Sequence, residues 1–436
     1  VNFKERFGGS YQSLKTTVAL CLGTVLVSVI LLDCAHQPQW RGHLQADTVI
    51  YQKRACAFLE SHSWGKIPDN EYQPGALWWV TLPAIIPLDC RNYEAYLTAF
   101  WLLNLLLLGA LAALARKFGP PEAPWMLLVL ALASGPILLY RFELTVSMMV
   151  MAAWLLWERR LWWSSSIMLG VATSTKVYPL VLLPLVVCKA YREEGIKAVI
   201  HTVTGFVFGL GVVLGVYLCA GGTLSAAYSA LIFHKHKPIG VDGLMGGVIP
   251  LLEAILGMPV KMTPQNSIHG FAFDAFCLGP LLDWVWIPIY LGCFFLMIRR
   301  RPSGAVASVG AVFALLLAFL VMQKTYTPQY SWWVASLMPM IPADWLSKSR
   351  KTTLFMIALL ALILGQVIYP LHYQELLDSF YNGHPMRSPV FWLNLFKNVL
   401  WLIALLIAVR PALSARISAT HPEMQAATKK RFTKDL

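Results

Sequence analysis

The chain has 436 residues, of which 57% are hydrophobic and 13% charged, with a mean hydropathy of +0.59. A soluble domain carries about 25% charged residues, so a water-soluble globular protein is excluded. The long apolar runs exclude a transmembrane β-barrel, whose strands are short and alternate. The net charge of +13 does not point to nucleic acid, because the basic residues flank the apolar runs: Lys4, Arg6 and Lys15; Arg116 and Lys117; Arg159 and Arg160; Lys189, Arg192 and Lys197; Arg299 to Arg301; Lys348, Arg350 and Lys351; Lys429 to Arg431. That is the positive-inside pattern of a polytopic helical membrane protein in contact with membrane lipids.

In chain order, 17–34 is long enough to span a membrane and lacks a small-residue cleavage site, so it is expected to be a retained helix. With the basic clusters on the cytoplasmic side, residues 35–94 form a first outer loop. Within it, Asp47 precedes the amphipathic pattern Val49, Ile50, Ala55, Phe58 and Leu59, which suits a helix lying in the interface. The run 76–88 holds two prolines and is too short to cross, so it is read as interfacial or re-entrant. Segment 95–115 returns to the cytoplasmic side. Two short pairs follow, 124–139 with 144–158 and 161–175 with 178–190, turning at Arg141-Phe142-Glu143 and at Ser174-Thr175-Lys176. Segment 196–219 leads to a second large outer section, 220–276, in which 243–257 reads either as a further span or as an interfacial helix. Segments 277–298, 305–323, 328–345, 352–370 and 390–410 complete the series, and 411–436 is a basic cytoplasmic tail.

The expected fold is therefore an all-α polytopic membrane protein of about 12–13 transmembrane helices, a single transmembrane domain over 1–410 with both termini cytoplasmic. The eight cysteines show no metal-ligand spacing, and a disulfide among Cys34, Cys56 and Cys90 is left open.

This topology gathers polar side chains on the outer face, where several of them are basic against the positive-inside bias, as an anionic ligand would require. Asp47 reads equally as a general base and as the N-cap of the helix it precedes. Lys176, between two apolar half-segments and ahead of Pro179, fits a phosphate at the interface, with snorkelling as the plainer explanation. His234, Lys235, His236 and Lys237 fit phosphate better than a metal, since lysines repel a cation and a His-x-His pair lacks a third ligand. In the turn 323–333, Lys324 and Gln329 suit a phosphate or sugar, while Trp332 and Trp333 need no more than an aromatic belt.

Together these segments resemble the GT-C membrane glycosyltransferases, and among them the GT87 polyprenyl-phosphomannose-dependent mannosyltransferases. The residues that carry the likeness are Asp47 with Tyr51 and Ala55, Tyr72-Gln73-Pro74-Gly75-Ala76, Lys176-Val177-Tyr178-Pro179, His234 through Gly243, and Thr327-Pro328-Gln329-Tyr330. The chain departs from that pattern in Gln73, Lys237 and Asp242-Gly243, where the family shows Pro, Arg and Glu-Ser. The resemblance implies a GT-C bundle in a bacterial plasma membrane, with an extracytoplasmic site and inverting transfer of a sugar, mannose, from a polyprenyl-phosphate donor to a lipid or glycan acceptor. Asp47 would be the base. Lys176, His234, Lys237, Arg141 and Lys324 would hold the phosphate, and Glu71, Tyr72, Asp242, Gln329 and Tyr330 the sugar or acceptor. No metal ligands and no firm cofactor are expected, a divalent ion being left open. A lipid-linked glycan polymerase or ligase and a transporter or flippase are the alternatives.

Overall fold

A computed structural model describes residues 3–67, 71–86, 89–233, 238–257, 261–262, 270–272, 284–299 and 309–413. The helices are α1 (Phe3–His36), α2 (Pro38–Ser61), α3 (Pro74–Ile85), α4 (Tyr93–Phe118), α5 (Ala123–Ser134), α6 (Glu143–Glu158), α7 (Trp162–Thr175), α8 (Leu183–Glu194) and α9 (Ile196–Cys219). They continue with α10 (Leu224–Ile232), α11 (Leu244–Ile255), α12 (Trp286–Arg299), α13 (Val309–Met322), α14 (Trp332–Ala335), α15 (Lys348–Gln366), α16 (Tyr373–Tyr381) and α17 (Pro389–Leu413). This is an all-α polytopic membrane protein. Among the described residues, five stretches are long and apolar enough to cross a bilayer: Lys15–His36, Tyr93–Phe118, Ile196–Cys219, Lys348–Leu371 and Pro389–Arg410. The other apolar helices are shorter, including the broken pairs formed by α5 with α6 and α7 with α8, and α11 spans 12 residues.

The surface identifies the solvent. Val18, Leu22, Val25 and Val29 recur at three- and four-residue intervals along α1, and Leu22 is 65% exposed. Leu106 of α4 is 73% exposed, and Ile200, Val203, Val207 and Phe208 line an outer face of α9. Stripes of this length are unsustainable in water but are what lipid covers. Inside, small residues let backbones approach: a Cβ on Gly170 of α7 would lie 2.4 Å from Phe206 O, and one on Gly209 of α9 2.3 Å from Ile167 O. Such contacts replace the hydrophobic drive that is missing between helices in lipid.

The chain alternates between two ends of this bundle. At one end basic residues meet helix-end acids and carbonyls: Lys189 lies 3.3 Å from Glu158, Lys351 3.2 Å from Glu122, and Arg192 donates to Ile298 O at 2.7 Å. The other end carries α2, the 139–143 and 174–178 turns, the 239–243 segment, the 323–333 turn and the 366–391 excursion. One departure from the all-helical expectation stands there. Residues 239–240, 261–262 and 270–272 form a three-stranded antiparallel sheet in the order β1-β3-β2, with Ile239 opposite Phe271.

Candidate active site

The site begins with α2. Gln37 is extended and Pro38 takes the first helical position, which bends the chain sharply out of α1. Leu44, Thr48, Tyr51, Gln52, Ala55 and Cys56 form the buried face of α2. Asp47 therefore lies well inside the helix, and the N-cap reading is corrected: the cap is Gln37, which makes no side-chain cap bond. With its capping role removed, the Asp47 carboxylate, about one-third exposed, points to a guanidinium. Arg141 Nε lies 3.0 Å from Asp47 Oδ2.

Arg141 is buried and held from several directions. Its Nη1 donates to Leu44 O at 2.9 Å and to Tyr140 O at 3.0 Å, and its Nη2 lies 3.4 Å from the Tyr369 hydroxyl. Tyr369 in turn donates to His43 O at 3.2 Å. The turn that carries Arg141 is itself fixed, since Tyr140 donates its hydroxyl to Ala35 O at 2.9 Å and Asn104 donates to Leu139 O at 3.1 Å. Arg141, expected as a phosphate ligand, is paired with Asp47 in this structure.

Two residues on, Glu143 opens α6. It is 1% exposed, and the first turn of a helix favours a carboxylate. It pairs with Lys176, and its Oε2 accepts from Trp333 Nε1 at 2.7 Å. The Lys176 ammonium also sits over three rings, Phe142 at 5.0 Å, Tyr330 at 4.7 Å and Trp333 at 5.6 Å. Trp333 stacks between Tyr178 at 4.0 Å and Tyr330 at 4.2 Å, so the aromatic residues of the 323–333 turn do more than line a membrane belt.

The close of the first outer loop joins the same cluster. A Cβ on Gly75 would lie 2.5 Å from Thr175 Oγ1 and 2.8 Å from Ser174 O, so only glycine lets α3 seat against the end of α7, just ahead of Lys176. Tyr72 packs edge-on against Tyr51 at 5.3 Å, lies 6.3 Å from Phe142, and carries Arg54 over its face at 4.7 Å. Arg54 lies 3.5 Å from Glu71, which places Glu71 in an ion pair at the rim. Burial first, then the Asp47 charge, pushes the Tyr51 phenol well up, so it stays a neutral donor beside the acid.

Asp242 completes the far side. It is buried, on the turn between β1 and α11, and burial pushes its carboxyl up to about 6 against the opposing pull of Lys397 and a Tyr373 hydrogen bond. Gly240 N donates to Lys324 O at 2.9 Å, tying this turn to 323–326. Gln329 lines a separate crevice with Ser134, Leu138 and Gln366. His234 and Lys237 lie outside the described residues. Among the described residues no three His, Cys, Asp or Glu side chains could hold a metal. Cys34, Cys56 and Cys90 are free thiols, Cys56 Sγ donating to Cys90 O at 2.8 Å.

Sequence reasoning missed the pairing role of Glu143, the tyrosines Tyr369 and Tyr373, and Lys397. A signal for the last was present, because a lysine within the apolar run 390–409 is a functional flag in itself.

Residues 71–249 match the family model described as glycosyltransferase family 87, a stretch short of half the chain. It contains Glu71, Arg141, Glu143, Lys176 and Asp242, while Asp47, Tyr330, Trp333, Tyr369 and Lys397 lie outside it. No curated protein and no solved structure matches the chain. The match bears out the resemblance read from the sequence and supports a membrane glycosyltransferase.

Proposed function

We propose that the protein transfers a sugar, mannose, from a polyprenyl-phosphate donor to a lipid or glycan hydroxyl on the outer side of a bacterial plasma membrane, by single displacement with inversion. The observation that carries this reading is the meeting of two charge pairs, Asp47 with Arg141 and Glu143 with Lys176, from three separate segments around Phe142. Asp47 accepts the acceptor hydroxyl proton as the oxygen bonds the anomeric carbon. The bond from that carbon to the phosphate oxygen breaks on the opposite face, and polyprenyl phosphate leaves as its monoester.

Lys176 offers the leaving phosphate an ammonium held by Glu143 and by rings. Charge stabilisation of this kind replaces a strong general acid. Lys324, His234 and Lys237 are assigned to the same phosphate. Glu71, Tyr72, Asp242, Gln329 and Tyr330 are assigned to the sugar or acceptor. Arg141 fixes the direction of Asp47 and adds positive potential between the two pairs.

The test is Asp47→Asn in membranes supplied with synthetic polyprenyl-phosphomannose. General-base loss is expected to lower transfer about 10²–10⁴-fold while the variant accumulates normally. Undiminished transfer removes Asp47 from the base position. Lipid movement across the bilayer without sugar transfer would favour a flippase instead.

A further inference from the structure

Asp242 stands on a turn that the last helix holds from below. Three side chains of α17 reach it: Asn394 Nδ2 donates to Val241 O at 2.8 Å, Lys397 Nζ to Asp242 O at 3.0 Å, and Asn398 Nδ2 to Asp242 O at 3.0 Å. Lys397 is 0% exposed, in the middle of an apolar stretch of 22 residues. Anchoring the turn does not explain a lysine, because the two asparagines already satisfy both carbonyls and carry no charge. A buried ammonium is costly in such a helix and is kept where a charge is used.

The group that can use it is the Asp242 carboxylate. Tyr373 hydrogen-bonds it, but its Oδ1 is buried with no hydrogen-bond partner among the described residues. An ionised carboxylate oxygen only accepts, so its ligand must bring a donor; a hydroxyl fits and a phosphate does not. The turn also borders the donor side of the site. Lys397 lies 4.7 Å from the Tyr326 ring, and Tyr326 pairs through its hydroxyl with Ser331, on the same turn as the Tyr330 and Trp333 rings beneath Lys176.

We propose that Lys397 is a positioning residue through which the last apolar helix presents Asp242 Oδ1 to a hydroxyl of the donor sugar, so that this pair selects the sugar. The proposal rests on the glycosyl-transfer reading above. A site built around one hydroxyl discriminates strongly against a sugar that lacks it. Among the described residues, the groups facing Asp242 are Lys397 from α17, Tyr373 from α16, Tyr369 just before it and Tyr326 from the 323–331 turn.

The test compares Lys397→Met, Lys397→Arg, Asp242→Asn and the Met/Asn double variant by two readouts. In transfer assays, Lys397→Met and Asp242→Asn are each expected to raise the donor KM about tenfold with a smaller change in kcat, the double being no worse than either, as one shared contact requires. Lys397→Met should also move the acid limb of kcat/KM to higher pH, and Lys397→Arg should restore it. Additive losses, or a fall in kcat with KM and the acid limb unmoved, overturn the proposal. The second readout needs no turnover. Thermal unfolding in detergent from pH 5 to 8 should show the Asp242-dependent decline displaced to higher pH in Lys397→Met and absent in Asp242→Asn. Identical unfolding profiles for wild type and Lys397→Met overturn the coupling even if no polyprenyl-phosphate sugar proves to be a substrate. Should Lys397→Met fail to fold, Lys397→Arg and Asp242→Asn decide the matter by the same KM and unfolding criteria.

Discussion

Removing the Lys176 charge separates what the ammonium does for the fold from what it does for a substrate. Glu143 is 1% exposed, and besides Lys176 it has the Trp333 Nε1 donor at 2.7 Å. Two unit charges about 4 Å apart at an effective dielectric constant near 20 attract by about 4 kcal/mol. Lys176→Met leaves a buried carboxylate with one neutral donor, and breaking a buried pair in this way costs about 3–5 kcal/mol. Glu143→Gln is expected to cost a similar amount by stranding the ammonium, softened by about 1–2 kcal/mol because the three rings beneath it remain. The double variant Glu143→Gln/Lys176→Met removes both charges of this pair and keeps a Trp333 partner, so most of the lost stability should return. Denaturant or thermal unfolding in detergent, read as a double-mutant cycle, measures this directly. Transfer should nevertheless stay strongly reduced in the stable double variant, because the Lys176 ammonium is then missing from the leaving phosphate. Additive destabilisation would refute the energetic argument, and recovered transfer would refute the phosphate assignment of Lys176.

Gly75→Ala puts a methyl group 2.5 Å from Thr175 Oγ1 and 2.8 Å from Ser174 O. It is expected to cost about 1–3 kcal/mol and to lower transfer, with Gly75→Ala/Thr175→Ala recovering little because the Ser174 backbone carbonyl remains in the way. For Asp242, burial sets the folded carboxyl at about 6, above its ordinary 3.8. The folded state therefore favours the protonated form: that stabilisation is full below the ordinary value and is lost as pH rises through about 6, a span of about 3 kcal/mol at 1.36 kcal/mol per unit. Asp242→Asn should flatten the stability profile across this window, and an unchanged slope would argue that another group titrates there. Trp333→Phe removes the indole donor to Glu143 while keeping a ring under Lys176, and is expected to cost about 1.5–3 kcal/mol with donor KM affected less than in Lys176→Met.

Several parts of the site were legible because lipid penalises polarity. A lysine between half-helices, an arginine and a glutamate in a tight turn, and an acid one segment after a span are expensive choices, and each drew notice for that reason. What eluded the reading was partnership. Asp47 could be taken for a cap because a polar residue before an apolar pattern is the usual sign of a helix start, whereas Pro38 had already started α2 upstream. Arg141 carried the charge expected of a phosphate ligand, and the structure gives three of its other donors to two backbone carbonyls and Tyr369. Trp333 passed as belt, and Lys397 passed inside a hydrophobic run.

By itself the sequence determined that the chain is a helical membrane protein and which residues are too costly to be incidental, although the segment 328–345, read as a span, resolves into short helical turns, Pro328–Ser331, Trp332–Ala335 and Met338–Met340. These follow from composition, run length and charge placement, properties of single segments facing a uniform apolar solvent. Only the tertiary structure decided that Asp47 answers to Arg141, Lys176 to Glu143 and Asp242 to Lys397. Those partners lie between 33 and 155 residues apart along the chain, and no local periodicity encodes which buried charge will meet which; packing of the helices alone brings each ammonium or guanidinium to its carboxylate-bearing residue.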